Sequence, residues 1–343
     1  MEFEMSAVRY MLDKEHRRLP RKRGDPTLYI LGELSGHNVV LAGLPGSQGK
    51  GAAAAIAKDM TRSFPSIEAR LMVGIGGGVP NEKNDIHLGD VVISMPNGQH
   101  GGVVQYDLGK QTENDFLIKG FLWPPPGVLR SAVSIMRSDH RVSKNKITEF
   151  LSVMFQRGDD LQTFYQQPLS EPDELFELEY RHVSDQATCV ECIKTHVIPR
   201  EPREGMPKIH YGLIASGDTV MRSATNAAEI GGRVVGDILC FEMEAAGIMT
   251  EYPCIVIRGI SDYADSHKND AWQHYAAAVA AGCAKELLSY VDPEEYSTTE
   301  EFLECGDSNT STSQPAVRPV FKGQGVQNSG NFVVGKDLNI SGG

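Results

Sequence analysis

The sequence predicts an α/β fold, a three-layer sandwich around a mixed, mostly parallel central sheet. Three observations predict it. Several apolar runs are short, β-branched and free of polar residues, as in Cys254-Ile255-Val256-Ile257 and Val91-Val92-Ile93. That is the pattern of strands buried on both faces. These runs alternate with helical stretches rich in small residues, at 52 to 64 and 269 to 291, as a layered α/β domain requires. Glycines and acids follow the runs, where open α/β sheets receive their ligands.

Composition narrows the class. The chain has 343 residues and a net charge of -12, which argues against general nucleic-acid binding. Six scattered cysteines fit a reducing compartment better than a disulfide framework. No apolar run approaches a membrane span, and the first residues lack a secretory signal. The expected location is cytoplasmic.

Residues 3 to 18 read as a helix, with Met5, Val8, Met11 and Leu12 at helical spacing. The basic run Arg17 to Arg23 reads as a solvated loop after it. Residues 27 to 34 and 37 to 44 read as a hairpin across Ser35-Gly36. Next comes Pro45-Gly46-Ser47-Gln48-Gly49-Lys50-Gly51. Its glycines are too close for a P-loop, and Gly51 stands where a magnesium-binding hydroxyl is needed, so it is no nucleotide-triphosphatase loop. A strand-to-helix turn with free N–H groups remains, which could hold an anion. Residues 69 to 75 read as a buried strand ended by Gly76-Gly77-Gly78, whose amides could form a nest for an anion. Strands at 91 to 94 and about 101 to 106 follow.

From 109 to 207 the chain is polar and reads as an insertion or cap, with one helix near 127 to 137. It holds His182, Cys189, Cys192 and His196. A single Cys-x2-Cys lacks the second pair of most zinc modules, so these four are candidate ligands only and no metal is assigned. A strand at 209 to 214, a helix at 226 to 235 and the long helix at 269 to 291 complete a domain spanning 2 to 291. Residues 292 to 322 have linker composition, and 323 to 343 read as a Gly/Asn-rich β tail.

The chemistry concentrates between Cys240 and Asp265. Glu242 and Glu244 precede a small-residue helix, and Arg258, Ser261 and Asp262 follow the buried strand at 254 to 257. Acids from a helix start and a strand end can converge on one pocket; the blander reading is a pair of surface salt bridges.

These residues resemble the purine and uridine phosphorylase superfamily, which includes nucleosidases. The matching pieces are Pro45 to Ala53, Val73 to Val79, Leu88 to Val92, Ala215 to Asp218, Phe241 to Ala245 and Ile257 to Asp262, in family order over about residues 2 to 291. The nearest likeness is to the N-terminal effector domain of fungal NACHT- or NB-ARC-type receptors. The resemblance implies that Glu244 binds the ribose hydroxyls with Met243 on the sugar. Asp262 protonates or hydrogen-bonds purine N7, held near Ser261 and Arg258. Gly74, Ile75 and Gly76 line the ribose, and Val220 and Met221 contact substrate. Glu242 has a supporting part. Homo-oligomers are the family habit, and no cofactor is implied beyond phosphate as the co-substrate of a phosphorylase.

Three departures bear on the reaction. Met72 and Ile75 stand where purine phosphorylases of this superfamily carry a phosphate-holding arginine and serine. The opening Met1-Glu2-Phe3-Glu4 resembles the acidic cluster of the nucleosidases, with Glu4 in the water-activating place. Hydrolysis is therefore expected over phosphorolysis, since a carboxylate repels phosphate. The first β-strand of the family would precede Glu2 and is absent from this sequence, which is expected to weaken activity. Lys50, Arg222, His267 and Lys268 are candidates for a 5′-phosphate, so nucleotides join nucleosides as substrates. Two alternatives stay open: a phosphorylase, and a non-catalytic nucleoside-sensing or oligomerisation module.

Overall fold

The computed structural model describes residues 1–293 except 45, 47, 184–187, 202 and 204. The expected tail, and all but the first two residues of the linker, lie outside the described residues. Residues Met1–Glu294 form one compact unit.

Helix α1 (Glu2–Met11) opens the chain, with Ala7 and Met11 buried. It is shorter than the expected 3 to 18. Leu12 turns to an extended conformation, and Asp13 meets Lys285 in an ion pair while Lys285 also donates to the Met11 carbonyl at 2.8 Å. That lysine caps the helix with a cation at its negative end. The chain then reverses into β1 (Lys14–Glu15), which pairs with the hairpin β2 (Ile30–Leu34) and β3 (His37–Leu41). The hairpin turns on Ser35 and Gly36, both at positive φ (51° and 82°), the geometry that matches strand twist.

Helix α2 (Lys50–Ser63) follows, then β4 (Leu71–Gly78), β5 (Val91–Ser94) and β6 (Val103–Gln105). A small hairpin, β7 (Gly109–Gln111) and β8 (Phe116–Ile118), precedes α3 (Gly127–Asp139), α4 (Ile147–Phe155) and α5 (Asp159–Tyr165). Then come β9 (Ile209–Ser216), α6 (Ala224–Gly232), β10 (Ile238–Glu242), α7 (Ala246–Met249), β11 (Ile255–Asp262) and α8 (Gln273–Leu288).

The main sheet runs β10, β4, β11, β5, β9, β6. It is mixed and mostly parallel: β4–β11, β5–β9, β6–β9 and β9–β10 are parallel, while β4–β10 and β5–β11 are antiparallel. Because β10 pairs with both β4 and β9, the sheet closes into a ring, with β6 outside it on β9. Glycines make the closure possible. A Cβ at Gly76 would stand 2.4 Å from Cys240 Sγ and 2.8 Å from the Phe241 carbonyl. The sequence pattern ends the strand at the three glycines, in a tight turn whose amides could cradle an anion. Instead β4 continues through Gly78, and Gly77 and Gly78 pair with Phe241 and Cys240.

Helix α8 is buried along nearly its whole length and seats directly on β11. A Cβ at Gly259 would lie 1.9 Å from the Ala276 carbonyl oxygen, so only glycine permits this approach. The stretch 109 to 207 is not purely a cap. Leu129, Val133 and Met136 of α3 and Ile147, Leu151 and Met154 of α4 are buried in the same core as α8. Their amphipathic spacing is masked in the sequence by the polar residues of their outer faces. Buried Glu286 fastens them, accepting from His140 Nε2 at 2.9 Å and the Lys146 amide at 3.0 Å. Residues after α5 form a separate wall outside the ring, built of loops and two short 3-10 turns at Cys189–Glu191 and Lys194–His196. No helix among the described residues is long and apolar enough to cross a membrane.

Candidate active site

Strands β4, β10 and β11 bring one set of residues together at the start of the glycine run. Arg258, 3% exposed, donates to Glu242 and, at 3.4 Å, to Glu244, and also to the Ile75 carbonyl at 3.3 Å. Burial alone would push this guanidinium toward neutrality. Glu242, Glu244 and Glu4 outweigh it and hold its pKa above the ordinary value. Its Nε has no partner among the described residues. Glu242 is fully engaged, accepting also from the amides of Glu244 and Ala245. It orients the arginine and caps the turn into α7. Glu244 keeps a freer carboxylate, with one oxygen accepting from the Gly49 amide at 3.3 Å.

Helix α1 delivers Glu4 to the same place. Its Oε1 accepts from the Ile75 amide at 2.9 Å, and the Met1 ammonium pairs with Oε2. A Cβ at Gly74 would lie 2.5 Å from both Glu4 Oε1 and Arg258 Nη1. Glycine at 74 thus lets two side chains converge over the strand. Ile75 turns its side chain into the core with α1 and α8, and Met72 packs in the second core cluster. Neither offers a group to hold phosphate.

Asp262 stands at the other end of the glycine run. It accepts from Ser261 Oγ at 2.8 Å, the Ala264 amide at 3.0 Å and Lys268 Nζ at 2.6 Å. A Cβ at Gly77 would come within 2.7 Å of its Oδ1. From Gly74 to Gly77 is about 10 Å of extended strand. Glu4 and Asp262 therefore stand at the two ends of a stretch in which Ile75 alone carries a side chain.

The cleft over Asp262 is roofed by the wall. Phe176, Cys189 and Lys194 line it together with Ser261, Asp262 and His267. Phe176 stacks on His267, ring centroids 4.0 Å apart and 11° from parallel, and Tyr180 stacks on His196 at 4.4 Å. Sequence reasoning missed Phe176 and Tyr180. They lie in a polar tract with no periodicity, and aromatic residues there were the one available signal. The wall is tied to the ring by Arg200, which donates to Tyr263 Oη at 2.6 Å and Asp173 at 3.0 Å, and by Arg203, which pairs with Asp90.

The remaining expected residues fall as follows. Met243 is half-buried beside Glu244. Met221 packs with Tyr106 and Phe241, while Val220 is exposed. Of the four candidate phosphate cations, three are already engaged. Lys50 pairs with Asp107 at 2.6 Å and Asp218 at 3.4 Å, His267 is stacked, and Lys268 pairs with Asp262. Arg222 donates only to the Lys268 carbonyl, at 3.4 Å. The N-terminus of α2, expected to hold an anion, already has one from the protein: the Lys50 amide donates to Asp218 at 2.9 Å.

Comparison with known proteins fits this geometry. No model of a known protein family matches the chain. Among solved structures it is similar to the 5′-methylthioadenosine/S-adenosylhomocysteine nucleosidase of Neisseria meningitidis in complex with methylthio-immucillin-A. That match has 21% identity, a TM-score of 0.52, and covers 84% of this chain and 95% of that one. It is similar to the Helicobacter pylori nucleosidase at 15% identity and a TM-score of 0.53, covering 84% and 94%. A putative nucleosidase from Borrelia burgdorferi, bound to adenine, matches at 17% identity and a TM-score of 0.53, covering 84% and 96%. The chain therefore has the nucleoside phosphorylase and nucleosidase fold. In sequence it is 41% identical over 293 residues to a nucleotide-binding leucine-rich repeat (NLR)-like protein of Hyaloscypha variabilis. The match takes in 85% of this chain and spans only 28% of that relative's length.

Proposed function

We propose that this domain hydrolyses the N-glycosidic bond of purine nucleosides or nucleotides. The observation that carries the reading is the placement of Glu4 and Asp262 at the two ends of the Gly74–Gly77 strand, with Glu244 and Arg258 beside the first. Cleavage builds positive charge on the sugar and negative charge on the leaving base. Glu4 takes a proton from water as its oxygen bonds to C1′. Glu244 holds the ribose hydroxyls, and its carboxylate stabilises the oxocarbenium-like sugar. Once Lys268 has left it, Asp262 takes up a proton from solvent and gives it to N7 as the C1′–N9 bond breaks, so that the base departs neutral. Substrate entry displaces Lys268 from Asp262.

Hydrolysis is favoured over phosphorolysis because Met72 and Ile75 are packed into apolar cores, and because Glu4 presents negative charge where phosphate would sit. The neighbours of this fold named as nucleosidases, one of them bound to adenine, support a purine substrate. The NLR-like relative supports an effector role beside a nucleotide-binding receptor module. A homo-oligomer of the cytoplasm is part of the proposal.

The test is base release from adenosine, inosine and ATP by the purified chain, with and without phosphate. Free base without phosphate supports the reading. Base released only with phosphate would make the domain a phosphorylase. No release under either condition overturns the enzymatic reading in favour of a nucleoside-sensing module.

A further inference from the structure

The wall of the cleft contains a second cluster that the reaction does not use. His182, Cys189 and Cys192 each offer a ligand atom, and these three atoms lie within 4.8 Å of one another. Cys192 is 4% exposed, in a segment with little apolar surface to account for its burial. Tetrahedral zinc with Zn–S near 2.3 Å and Zn–N near 2.0 Å places its ligand atoms about 3.3–3.8 Å apart. The trio lies within about 1.5 Å of that spacing, a shift that closing on an ion would supply.

The histidines are oriented as zinc ligands are. His182 Nε2 stands 3.1 Å from the Thr188 carbonyl, so it carries the hydrogen and leaves Nδ1 free to bind. His267 stands beside the trio: its ring is 5.5 Å from that of His182, and its carbonyl is 3.9 Å from Cys189 Sγ. Its Nδ1 faces Asp265 Oδ2 at 3.3 Å. Its Nε2 is buried and has no partner among the described residues. A carboxylate on one ring nitrogen and an orphan on the other is the arrangement of a metal-ligating imidazole. An unpartnered buried nitrogen otherwise only costs stability. His196, a candidate from the spacing, is excluded. Its Nδ1 is taken by Glu177 at 2.7 Å and its ring is stacked on Tyr180.

We propose that His182, Cys189, Cys192 and His267 bind one zinc ion, which staples the wall to the loop that follows β11. The wall holds two 3-10 turns and few buried apolar side chains. Segments of this kind gain their order from a structural metal. Since Cys189 and His267 also line the cleft over Asp262, the ion fixes the outer boundary of that cleft without entering the chemistry.

Metal analysis and cobalt substitution of the purified, reduced full chain test this. The expected result is roughly one zinc per chain, and on exchange for cobalt a thiolate-to-cobalt charge-transfer band with the visible absorption of a tetrahedral site. Cys192→Ser is expected to lose the metal, Cys192→His to retain it with a weaker band, and His196→Ala to behave as wild type. His267→Ala should bind zinc about 10- to 100-fold more weakly; unchanged affinity would overturn the fourth ligand. Hydrogen exchange gives a readout on the unmutated chain. Chelation should speed exchange across 176 to 196 and leave β9 and β11 protected. Sub-stoichiometric zinc after zinc supply, a Cys189–Cys192 disulfide in the reduced protein, or exchange indifferent to chelation would each overturn the proposal.

Discussion

The two ends of the glycine strand are built on different principles. At the Gly74 end the groups come from β10 and β11, the turn after β10, and α1, and they are tied to one another: Arg258 between Glu242 and Glu244, Glu4 on the Ile75 amide. At the Gly77 end the acid, Asp262, is fixed by the ring, but what faces it is a wall of loops, with Phe176, Cys189 and Lys194 across the cleft. The sugar of a nucleoside is common to all its relatives, whereas bases and 5′ groups vary. Under the proposed reading the firmly tied end takes the part common to nucleosides and the loop-faced end the part that varies. Loops on a fixed scaffold can change without disturbing the core.

The comparison can be broken at either end. The largest effect is expected at the base end. Asp262→Asn should lower base release about 10²- to 10⁴-fold, with the fold intact by circular dichroism. Near-normal turnover would remove Asp262 from the reaction. At the sugar end, Arg258→Met should cost about 3–5 kcal/mol of stability in urea denaturation, because it leaves Glu242 buried without its cation. A loss under 1 kcal/mol would mean that this end is not the rigid one. Glu4→Gln keeps an oxygen for the Ile75 amide but cannot accept a proton. It should lower kcat about 100-fold and leave KM nearly unchanged. A raised KM with kcat unchanged would make Glu4 a binding residue. Phe176→Ala, in the wall, should raise KM up to about 10-fold through a lost stacking face, with kcat within about two-fold.

The smallest effect concerns the joint between wall and ring. Asp90 is buried and accepts from His210 at 2.9 Å and from Arg203. Burial would raise its pKa, but His210 and Arg203 outweigh it and hold it below the ordinary value. A carboxylate lowered on folding adds stability above its unfolded value, about 3.9, and that stability is lost as pH falls through the folded value. Urea denaturation should show wild type losing on the order of 1 kcal/mol through this group below pH 4. Asp90→Asn should lack that part of the dependence. Parallel curves for the two would remove Asp90 from the acid response.

Much of what the ring contributes to both ends was legible in the chain. Glu242, Glu244, Arg258, Ser261 and Asp262 sit within a short span beside an unmistakable buried strand, so their convergence needs only local geometry. Glu4 was legible through likeness alone, since nothing in Met1 to Glu4 distinguishes a general base from a helix start. The wall was the least legible. Phe176, Tyr180 and His267 are stacked across about ninety residues of sequence, and the trio His182, Cys189 and Cys192 left His196 standing as an equal candidate.

Hydrophobic period and strand-end chemistry are local properties, so the alternation of strands and helices and the acids of the site could be read from the chain alone. Only the tertiary structure decided the rest. It drew β4 through its glycines instead of ending there, since a glycine strand has no side chains to keep β10 and Asp262 away. It placed α3 and α4 in the core, because burial depends on which face meets α8. It gave Lys268 to Asp262 and Lys50 to two aspartates, and it chose His267 over His196 beside the cysteines. All but the Lys268–Asp262 pair, six residues apart, join distant segments, and spacing along the chain carries no information about them.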